Sequence, residues 1–228
     1  MGFLLTEEAS LDSRNGHALA RIKRTHHEEY NYLAAALLAV LAASPALSEQ
    51  LTQAQKIAVK LCSSCHGQDG NSISSNYPKI AGQQANYIDQ QLRSFRDHSR
   101  SDKDAKDVMW GWTRSLTDQD IRDLAAYYGV QQPKAGKPGP LQLTRMGAAI
   151  YQNGLSDKAV PGCAACHGAA AKGSEAAPRL AGQHARYLVR QLKVFRSMER
   201  PAAIAMHAVV TNLTDDDIAA LAAYLQSR

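Results

Sequence analysis

The sequence predicts an all-α fold that contains the same small domain twice. Three observations support this prediction: apolar residues recur at helical spacing, two long segments are repeated along the chain, and a short cysteine–histidine cluster recurs with them. No stretch alternates between apolar and polar residues as a half-buried strand would.

The internal repeat is visible in two pairs of segments. Residues 81–96 and 181–196 are identical at nine of sixteen positions, and residues 116–127 and 213–224 are identical at nine of twelve. Between the copies, residues 131–140 contain three prolines and two glycines, a composition that is typical of a linker. We therefore predict one domain at 49–131, a linker at 132–142 and a second domain at 143–228.

Each copy is predicted to run as helix, cysteine loop, helix, loop, helix. Apolar residues at helical spacing precede each cluster, namely Ala54, Ile57, Ala58 and Leu61 in the first copy and Leu143, Met146, Gly147 and Ile150 in the second. The last helices begin with capping-box sequences, at Thr117 with Asp120 and at Thr214 with Asp217. Ala58 and Gly147 are small enough for the first and last helices to cross closely, and Met146 is expected in the core.

The first 48 residues are predicted to lie outside both domains. Their apolar run, residues 33–43, has eleven residues and is too short for the roughly 20 that span a bilayer. Arg21, Lys23 and Arg24 precede this run and small residues follow it up to Ser48, which is the order of an export signal. A buried helix is the alternative. Export signals usually have about 15–30 residues, so either a start site assigned too far upstream or a genuine extension would explain the length.

The two clusters, CSSCHG at 62–67 and CAACHG at 163–168, contain all four cysteines of the chain. A zinc site would need two such pairs about 12–20 residues apart, and a thioredoxin-like pair would need a neighbouring βαβ pattern. A disulfide framework would need cysteines elsewhere. Cys-x-x-Cys-His is the attachment signature of c-type haem. We therefore predict one haem on Cys62 and Cys65 and a second on Cys163 and Cys166.

The axial ligands of the two irons are also predicted. The histidine that follows each second cysteine, His66 or His167, projects its imidazole from the same side as the thiols and is the expected proximal ligand. Met109 and Met206 are the candidates for the sixth position, because each lies seven residues before the leucine that opens the last repeated segment. Thioether ligation raises the haem potential, which suits an electron carrier.

Two rivals remain for the second iron. Met198 is one, although its repeat equivalent is His98, which breaks the register. His207, next to Met206, is the other, and it is expected at the surface.

The repeated motifs resemble those of diheme cytochromes c of the cytochrome c4 family over about residues 50–228. The matching motifs are the two CxxCHG clusters, NYPKIAGQ and APRLAGQ, and the two LTDxDIxxLAAY segments. The resemblance implies a tandem duplication of a class-I cytochrome c domain, each copy wrapped around one covalently bound haem. It also implies methionine ligation at the positions of Met109 and Met206. Pro78 and Pro178 would each supply a carbonyl that orients the proximal histidine.

The resemblance implies electron transfer in the periplasm and no enzyme activity. The expected role is a soluble or loosely membrane-associated carrier of single electrons between respiratory complexes, such as a quinol-oxidising complex and a terminal oxidase. The alternatives are a diheme subunit of a dehydrogenase complex and, less favoured, a diheme peroxidase, which needs an open sixth position on one iron. The net charge of +5 includes no basic block or stripe, so nucleic acid is not an expected partner.

Charge is distributed unevenly between the copies. Residues 49–131 contain ten Lys and Arg and ten Asp and Glu, whereas residues 132–228 contain twelve and six. We therefore expect the second domain to face an acidic partner surface, with Arg190 and Lys193 as residues at which charge reversal would test this.

Overall fold

The computed structural model describes residues 53–228, and the predicted export signal lies outside this range. The described chain is helical, and its β-type pairings are two isolated bridges, Leu155 with Val160 and Ser174 with Ala177. The predicted all-α fold class is confirmed. None of the helices within 53–228 has the length and apolar character needed to cross a membrane.

Corresponding helices recur in the two copies. The first copy contains helical residues 53–57, a π-helical turn at Ala58–Cys62, α1 (Ser63–His66), α2 (Ala85–Arg96), a second π-helical turn at Ala105–Met109, α3 (Trp110–Thr113) and α4 (Asp118–Gly129). The second copy contains α5 (Leu141–Asn153), a 3₁₀ turn at Ser156–Lys158, α6 (Ala164–His167), α7 (Ala185–Arg196), α8 (Ile204–Val210) and α9 (Asp215–Gln226). The predicted helices are present, while α3 and α8 lie in segments predicted as loops. Helix α5 begins inside the range predicted for the linker.

Helices α4 and α9 begin at the predicted capping boxes. Thr117 Oγ1 accepts a hydrogen bond from the Asp120 N–H at 3.1 Å, and the Asp120 carboxylate accepts one from the Thr117 N–H at 2.9 Å. Thr214 and Asp217 repeat this arrangement at 3.2 and 2.8 Å. Because such a cap contributes about 1 kcal/mol, the two boxes fix where the last helix of each copy starts.

Helices α5 and α9 cross closely at Gly147, as predicted. A Cβ at this position would lie 2.5 Å from the carbonyl carbon of Ala220 and 2.8 Å from the Cβ of Tyr224, with the Ala220 oxygen closer still. Ile150 is buried at the crossing, whereas Met146 is 45% exposed. The prediction of Met146 as a core residue is wrong, because the buried stripe is centred on Gly147 and Met146 lies just beyond its edge.

Each copy has its own buried hydrophobic cluster. The first contains Ile121, Leu124 and Tyr128, and the second contains Ile218 and Leu221 at the corresponding positions of its last helix. The residues from Gln50 to Arg228 nevertheless form one compact unit. Two cores within one unit indicate that the copies pack against each other.

The segment between the copies is held to both of them. The Asn71 side chain donates to the Gln132 carbonyl at 2.9 Å and accepts from the Lys134 N–H at 2.7 Å. At the other end, Gln226 Nε2 donates to the Lys137 carbonyl at 2.8 Å. These hydrogen bonds attach the predicted linker to the surfaces of both copies.

Candidate functional site

Each cysteine cluster forms a single helical turn that ends on a glycine. α1 follows the π-helical turn that ends at Cys62, and α6 begins directly after Cys163. The glycine after each histidine has a positive φ, +79° at Gly67 and +77° at Gly168. Residues with a Cβ rarely adopt this conformation. The glycine therefore allows the chain to turn away immediately after the histidine.

The two histidines of the clusters are held in the same way. His66 is 8% exposed and His167 is 7% exposed, and in each ring Nδ1–H donates to a proline carbonyl, of Pro78 or Pro178, at 2.8 Å. Burial lowers the pKa of both imidazoles, against the opposing effect of these hydrogen bonds. A neutral ring that donates through Nδ1 carries its lone pair on Nε2, ready for a metal. The geometry matches the proline contact that the family resemblance implies.

A cavity of about 330 Å³ lies beside the first cluster. Four predicted site residues of the first copy line it together: Cys62, Cys65, His66 and Met109. Most of the remaining wall is apolar and includes Leu61, Ile80, Ile88, Leu92, Phe95 and Leu124. A concave, largely apolar site of this volume is typical of cofactor binding.

The same cavity is lined by cationic groups from both copies. Lys79 and Arg100 of the first copy and Arg179 and Arg190 of the second all reach it. The Nε of Arg179 is buried without a hydrogen-bond partner among the described residues, and such a donor favours a ligand that accepts from it. Haem combines an apolar ring with two anionic propionates. The cavity therefore fits a haem. Its apolar wall suits the ring, its thiols, imidazole and thioether suit attachment and ligation, and its guanidinium groups suit the propionates.

The π-helical turns position two of the residues that line the cavity. One turn ends at Cys62 and the other at Met109. A π-helical turn inserts an extra residue into a helix and changes the direction of the side chains that follow, and such turns are frequent at functional sites. Helical periodicity alone does not predict them.

In the second copy, Met206 is half-buried and packs against the hydrophobic cluster of that copy. Met198 is 63% exposed and has a φ of +63°, like its repeat equivalent His98 at +65°. His207 is only 8% exposed, so the expectation that it lies at the surface is wrong. α8 turns His207 toward the interior, one position along from Met206. Burial favours Met206 over Met198 as an iron ligand, whereas His207, which is buried and whose Nε2 has no hydrogen-bond partner among residues 53–228, stays a rival.

The thiols differ from those of a reactive cysteine pair. Burial raises the pKa of Cys62, and it raises the pKa of Cys163 to about 11. Redox-active cysteines have a lowered pKa instead. Cys65 is half-buried and Cys166 is exposed. Within residues 53–228, no three His, Cys, Asp or Glu side chains are grouped to hold a metal ion.

Glutamine and arginine side chains join the two copies reciprocally. Gln91 Oε1 accepts from Arg100 and from Arg200, at 2.8 Å in each case. Gln191 Oε1 accepts from the same two arginines at 3.0 Å. Asp102 pairs with the Nε of Arg100 at 2.8 Å. Sequence reasoning assigned no role to the arginines, although their recurrence in both copies was the available signal.

A second reciprocal contact lies next to the two prolines. Gln183 Oε1 accepts from the Lys79 N–H at 2.8 Å, and its Nε2 donates to the Lys79 carbonyl at 2.8 Å. Gln83 makes the same two contacts with Arg179, at 2.7 and 3.0 Å. Sequence reasoning also missed the role of these glutamines, although each ends a repeated Ala-Gly-Gln motif.

Comparison with known proteins agrees with this geometry. The sequence profile of the cytochrome c family matches residues 51–128 and 145–228. Cytochrome c4 of Azotobacter vinelandii is 36% identical over 176 residues, which cover 73% of this chain and 83% of that protein. A thiosulfate dehydrogenase electron acceptor of Thiomonas intermedia strain K12 is 33% identical over 175 residues, covering 73% of this chain and 78% of that protein. The crystal structure of reduced cytochrome c4 from Pseudomonas stutzeri superposes with a TM-score of 0.69 at 34% identity, covering 77% of this chain and 97% of that one.

Proposed function

The chain belongs to the cytochrome c family and carries two covalently attached haem c groups, and from this premise we propose that it is a periplasmic carrier of single electrons between respiratory membrane complexes. It is an electron-transfer protein and not an enzyme. The proposed donor is a quinol-oxidising complex and the proposed acceptor is a terminal oxidase. Cleavage after the export signal would place the protein in the periplasm.

We assign the first haem to Cys62 and Cys65, with His66 and Met109 as axial ligands. The observation that carries this assignment is the single cavity lined by all four of these residues. The second haem is assigned to the equivalent residues of the second copy, Cys163, Cys166, His167 and Met206. Each haem, when bound, supplies reversible exchange of one electron at its iron.

The chain's own residues prepare this site in three ways. The proline carbonyls accept the Nδ1 proton of each imidazole, which leaves the Nε2 lone pair available to bind the iron. The apolar walls would contact the apolar ring of the haem. The methionine thioether provides a ligand that favours a high potential.

Methionine substitutions test the ligand assignment and the function that rests on it. Met109→Ala and Met206→Ala each remove one thioether, so each variant should lose half of the methionine-to-ferric-iron charge-transfer absorption and have one lowered midpoint potential. Met146→Ala and Met198→Ala are matched controls, because both side chains are exposed, and neither should alter the absorption. A spectrum that changes with Met198→Ala and not with Met206→Ala would contradict the assignment at the second iron.

A second candidate function is favoured by the similarity to the thiosulfate dehydrogenase electron acceptor of Thiomonas intermedia. In this role the chain would accept electrons from a dehydrogenase that oxidises a sulfur compound. The two functions differ in their electron donor. Stopped-flow measurements would compare how fast a thiosulfate dehydrogenase and a quinol-oxidising complex reduce the purified protein. Faster reduction by the thiosulfate dehydrogenase would favour the second function.

The excess of basic residues in the second copy supports docking of an acidic partner there. The two residues that the sequence analysis selected for this test, Arg190 and Lys193, each form an ion pair within the protein. Arg190 pairs with Asp104 of the first copy at 2.5 Å, and Lys193 pairs with Asp215 at 2.6 Å. Reversing either charge would therefore remove an ion pair as well as change the charge of the docking surface.

Two other basic residues of the second copy provide a cleaner test of docking. Arg145 and Arg186 are exposed, and neither forms an ion pair with any residue among 53–228. We propose that they contribute to the surface that an acidic redox partner approaches.

A further inference from the structure

The peptide unit that holds each proximal histidine is also held by a glutamine of the other copy. The carbonyl of Pro78 accepts from His66 Nδ1–H at 2.8 Å, and the N–H of the same peptide unit, that of Lys79, donates to Gln183 Oε1 at 2.8 Å. A chain of hydrogen bonds therefore runs from the imidazole, through one peptide unit, to a side chain of the second copy.

The second copy has the reciprocal arrangement. The Pro178 carbonyl accepts from His167 Nδ1–H at 2.8 Å, and the Arg179 N–H donates to Gln83 Oε1 at 2.7 Å. Each histidine is thus connected to a glutamine that belongs to the opposite copy.

Hydrogen bonds in such a chain strengthen one another. An acceptor placed on the peptide N–H polarises the peptide unit and makes its carbonyl oxygen a better acceptor. A stronger acceptor draws the Nδ1 proton and makes Nε2 more basic. A more basic axial ligand stabilises ferric iron relative to ferrous iron, and second-shell hydrogen bonding of this kind is one of the means by which a protein sets a haem potential.

We propose that Gln183 lowers the midpoint potential of the haem bound by the first copy, and that Gln83 lowers the potential of the haem bound by the second. Both are positioning residues that act through a peptide unit of the other copy. The inference rests on the proposed ligation by His66 and His167. It goes beyond that proposal because it links each haem site to a residue outside its own copy.

Burial makes the glutamines difficult to replace by water. Gln83 is 8% exposed and Gln183 is 7% exposed. A peptide N–H that loses the acceptor oxygen of such a buried side chain is left without this partner. The polarisation of the peptide unit is therefore lost with the side chain.

The two contacts are unequal. The Arg179 N–H has a second acceptor, Gln84 Oε1 at 2.8 Å, in addition to Gln83. In the second copy the residue after Gln183 is His184, whose Nε2 lies 2.8 Å from the Ser72 carbonyl. The Lys79 N–H therefore depends on Gln183 alone, and loss of Gln183 should have the larger effect.

Gln183→Met and Gln83→Met form a matched pair for the test. Methionine has a similar length and shape and provides no strong acceptor. The experiment follows the haem-methyl proton NMR signals through a redox titration. The signals are assigned to each haem through the cysteines that bind it, so each midpoint potential is measured separately. Gln183→Met should raise the potential of the first haem and leave the second unchanged. Gln83→Met should raise the potential of the second haem, by a smaller amount.

Gln183→Glu distinguishes polarisation from a packing effect. It keeps the length and the acceptor oxygen for the Lys79 N–H, although it loses the Nε2 donor to the Lys79 carbonyl, so the potential of the first haem should equal or lie below that of the wild type. A packing defect would move the potential in the same direction in both variants, and this result would overturn the proposal. The proposal would also be overturned if a substitution shifted only the midpoint potential of the haem in its own copy, or shifted neither potential.

Two further measurements complete the test. If Gln183→Met does not fold, Gln183→Asn, which is one methylene too short to reach the Lys79 N–H, replaces it with the same expectation. The proposed methionine ligation is checked independently in the wild type, since absence of the methionine charge-transfer absorption would contradict the proposed axial ligands before any glutamine is changed.

Discussion

Gly147→Ala is predicted to destabilise the protein, although it replaces glycine with the best helix former inside α5. At an open position on a helix this change stabilises by about 1 kcal/mol. At Gly147 the new Cβ would lie 2.5 Å from the carbonyl carbon of Ala220 and 2.8 Å from the Cβ of Tyr224. Carbon atoms in contact prefer about 3.5–4.0 Å, so α5 and α9 would have to separate by about 1 Å.

The free-energy cost follows from what must move. The obstacle is the backbone of α9, which no change of rotamer can displace. Overpacking of a core costs about 1–3 kcal/mol, and a backbone obstacle should place this variant at the upper end. After subtraction of the gain in helix propensity, the expected loss in the free energy of unfolding is about 2 kcal/mol.

Gly111→Ala is the matched control within the same chain. It lies in α3, and apart from its chain neighbours and the backbone of its own helix, no described atom lies within 4 Å of the position that its Cβ would take. This variant should be as stable as the wild type or more stable by up to about 1 kcal/mol. The holoproteins are unfolded in guanidinium chloride and followed by far-UV circular dichroism, with unchanged m-values as a check. Equal or higher stability of Gly147→Ala would refute the close crossing of α5 and α9.

Three other predictions follow from the charges and the export signal. The Lys134 ammonium lowers the pKa of Asp69 from 3.8 to about 2, so the pair stabilises the protein fully above about pH 4 and progressively less down to about pH 2. Asp69→Asn should remove this dependence on pH and, because the pair is exposed, cost no more than about 0.5 kcal/mol at pH 7 by denaturant unfolding; an unchanged pH profile would contradict the pair. Mass spectrometry of periplasmic protein should show loss of residues 1–48 and the mass of two haems, and free thiols at all four cysteines would exclude haem attachment. Charge reversal at Arg145 and Arg186 should slow electron transfer to an acidic partner at low salt and reduce its salt dependence, whereas a native rate and salt slope would exclude them from docking.

The sequence was sufficient for features that depend on neighbouring residues. Helical periodicity and the capping boxes at Thr117 and Thr214 placed the long helices correctly. The small residue on the apolar face of the helix identified Gly147 as a point of close crossing, because glycine at a buried helical position leaves room for a backbone. The all-α fold and the haem attachment motifs followed from these local signals.

Features that depend on packing between distant segments were not predictable in the same way. The exposure of Met146 and the burial of His207 depend on where one helix lies on another, which periodicity does not specify to within one residue. The π-helical turn that ends at Met109 has no local signature in residue type. The contacts of Gln83 and Gln183 join residues 96 and 104 positions apart, respectively.

The reciprocity of those distant contacts follows from the duplication itself. When two copies of one domain pack about a twofold axis, a contact from residue i to residue j is accompanied by the contact from j to i. Gln83 with Arg179 and Gln183 with Lys79 obey this rule. A polar residue that recurs in both copies without a role inside its own copy is therefore a signal of the boundary between copies.

Divergence at that boundary makes the two haem sites different. Gln84 adds a second acceptor beside one proximal histidine, whereas His184 leaves the other peptide N–H with a single acceptor. Asp102 neutralises Arg100, whereas the residue two positions after Arg200 is Ala202. The two proposed pairs of axial ligands, one histidine and one methionine each, thus lie in different hydrogen-bonding and charge environments. From this inequality we expect the two midpoint potentials to differ, and a redox titration that resolves the two haems would test it.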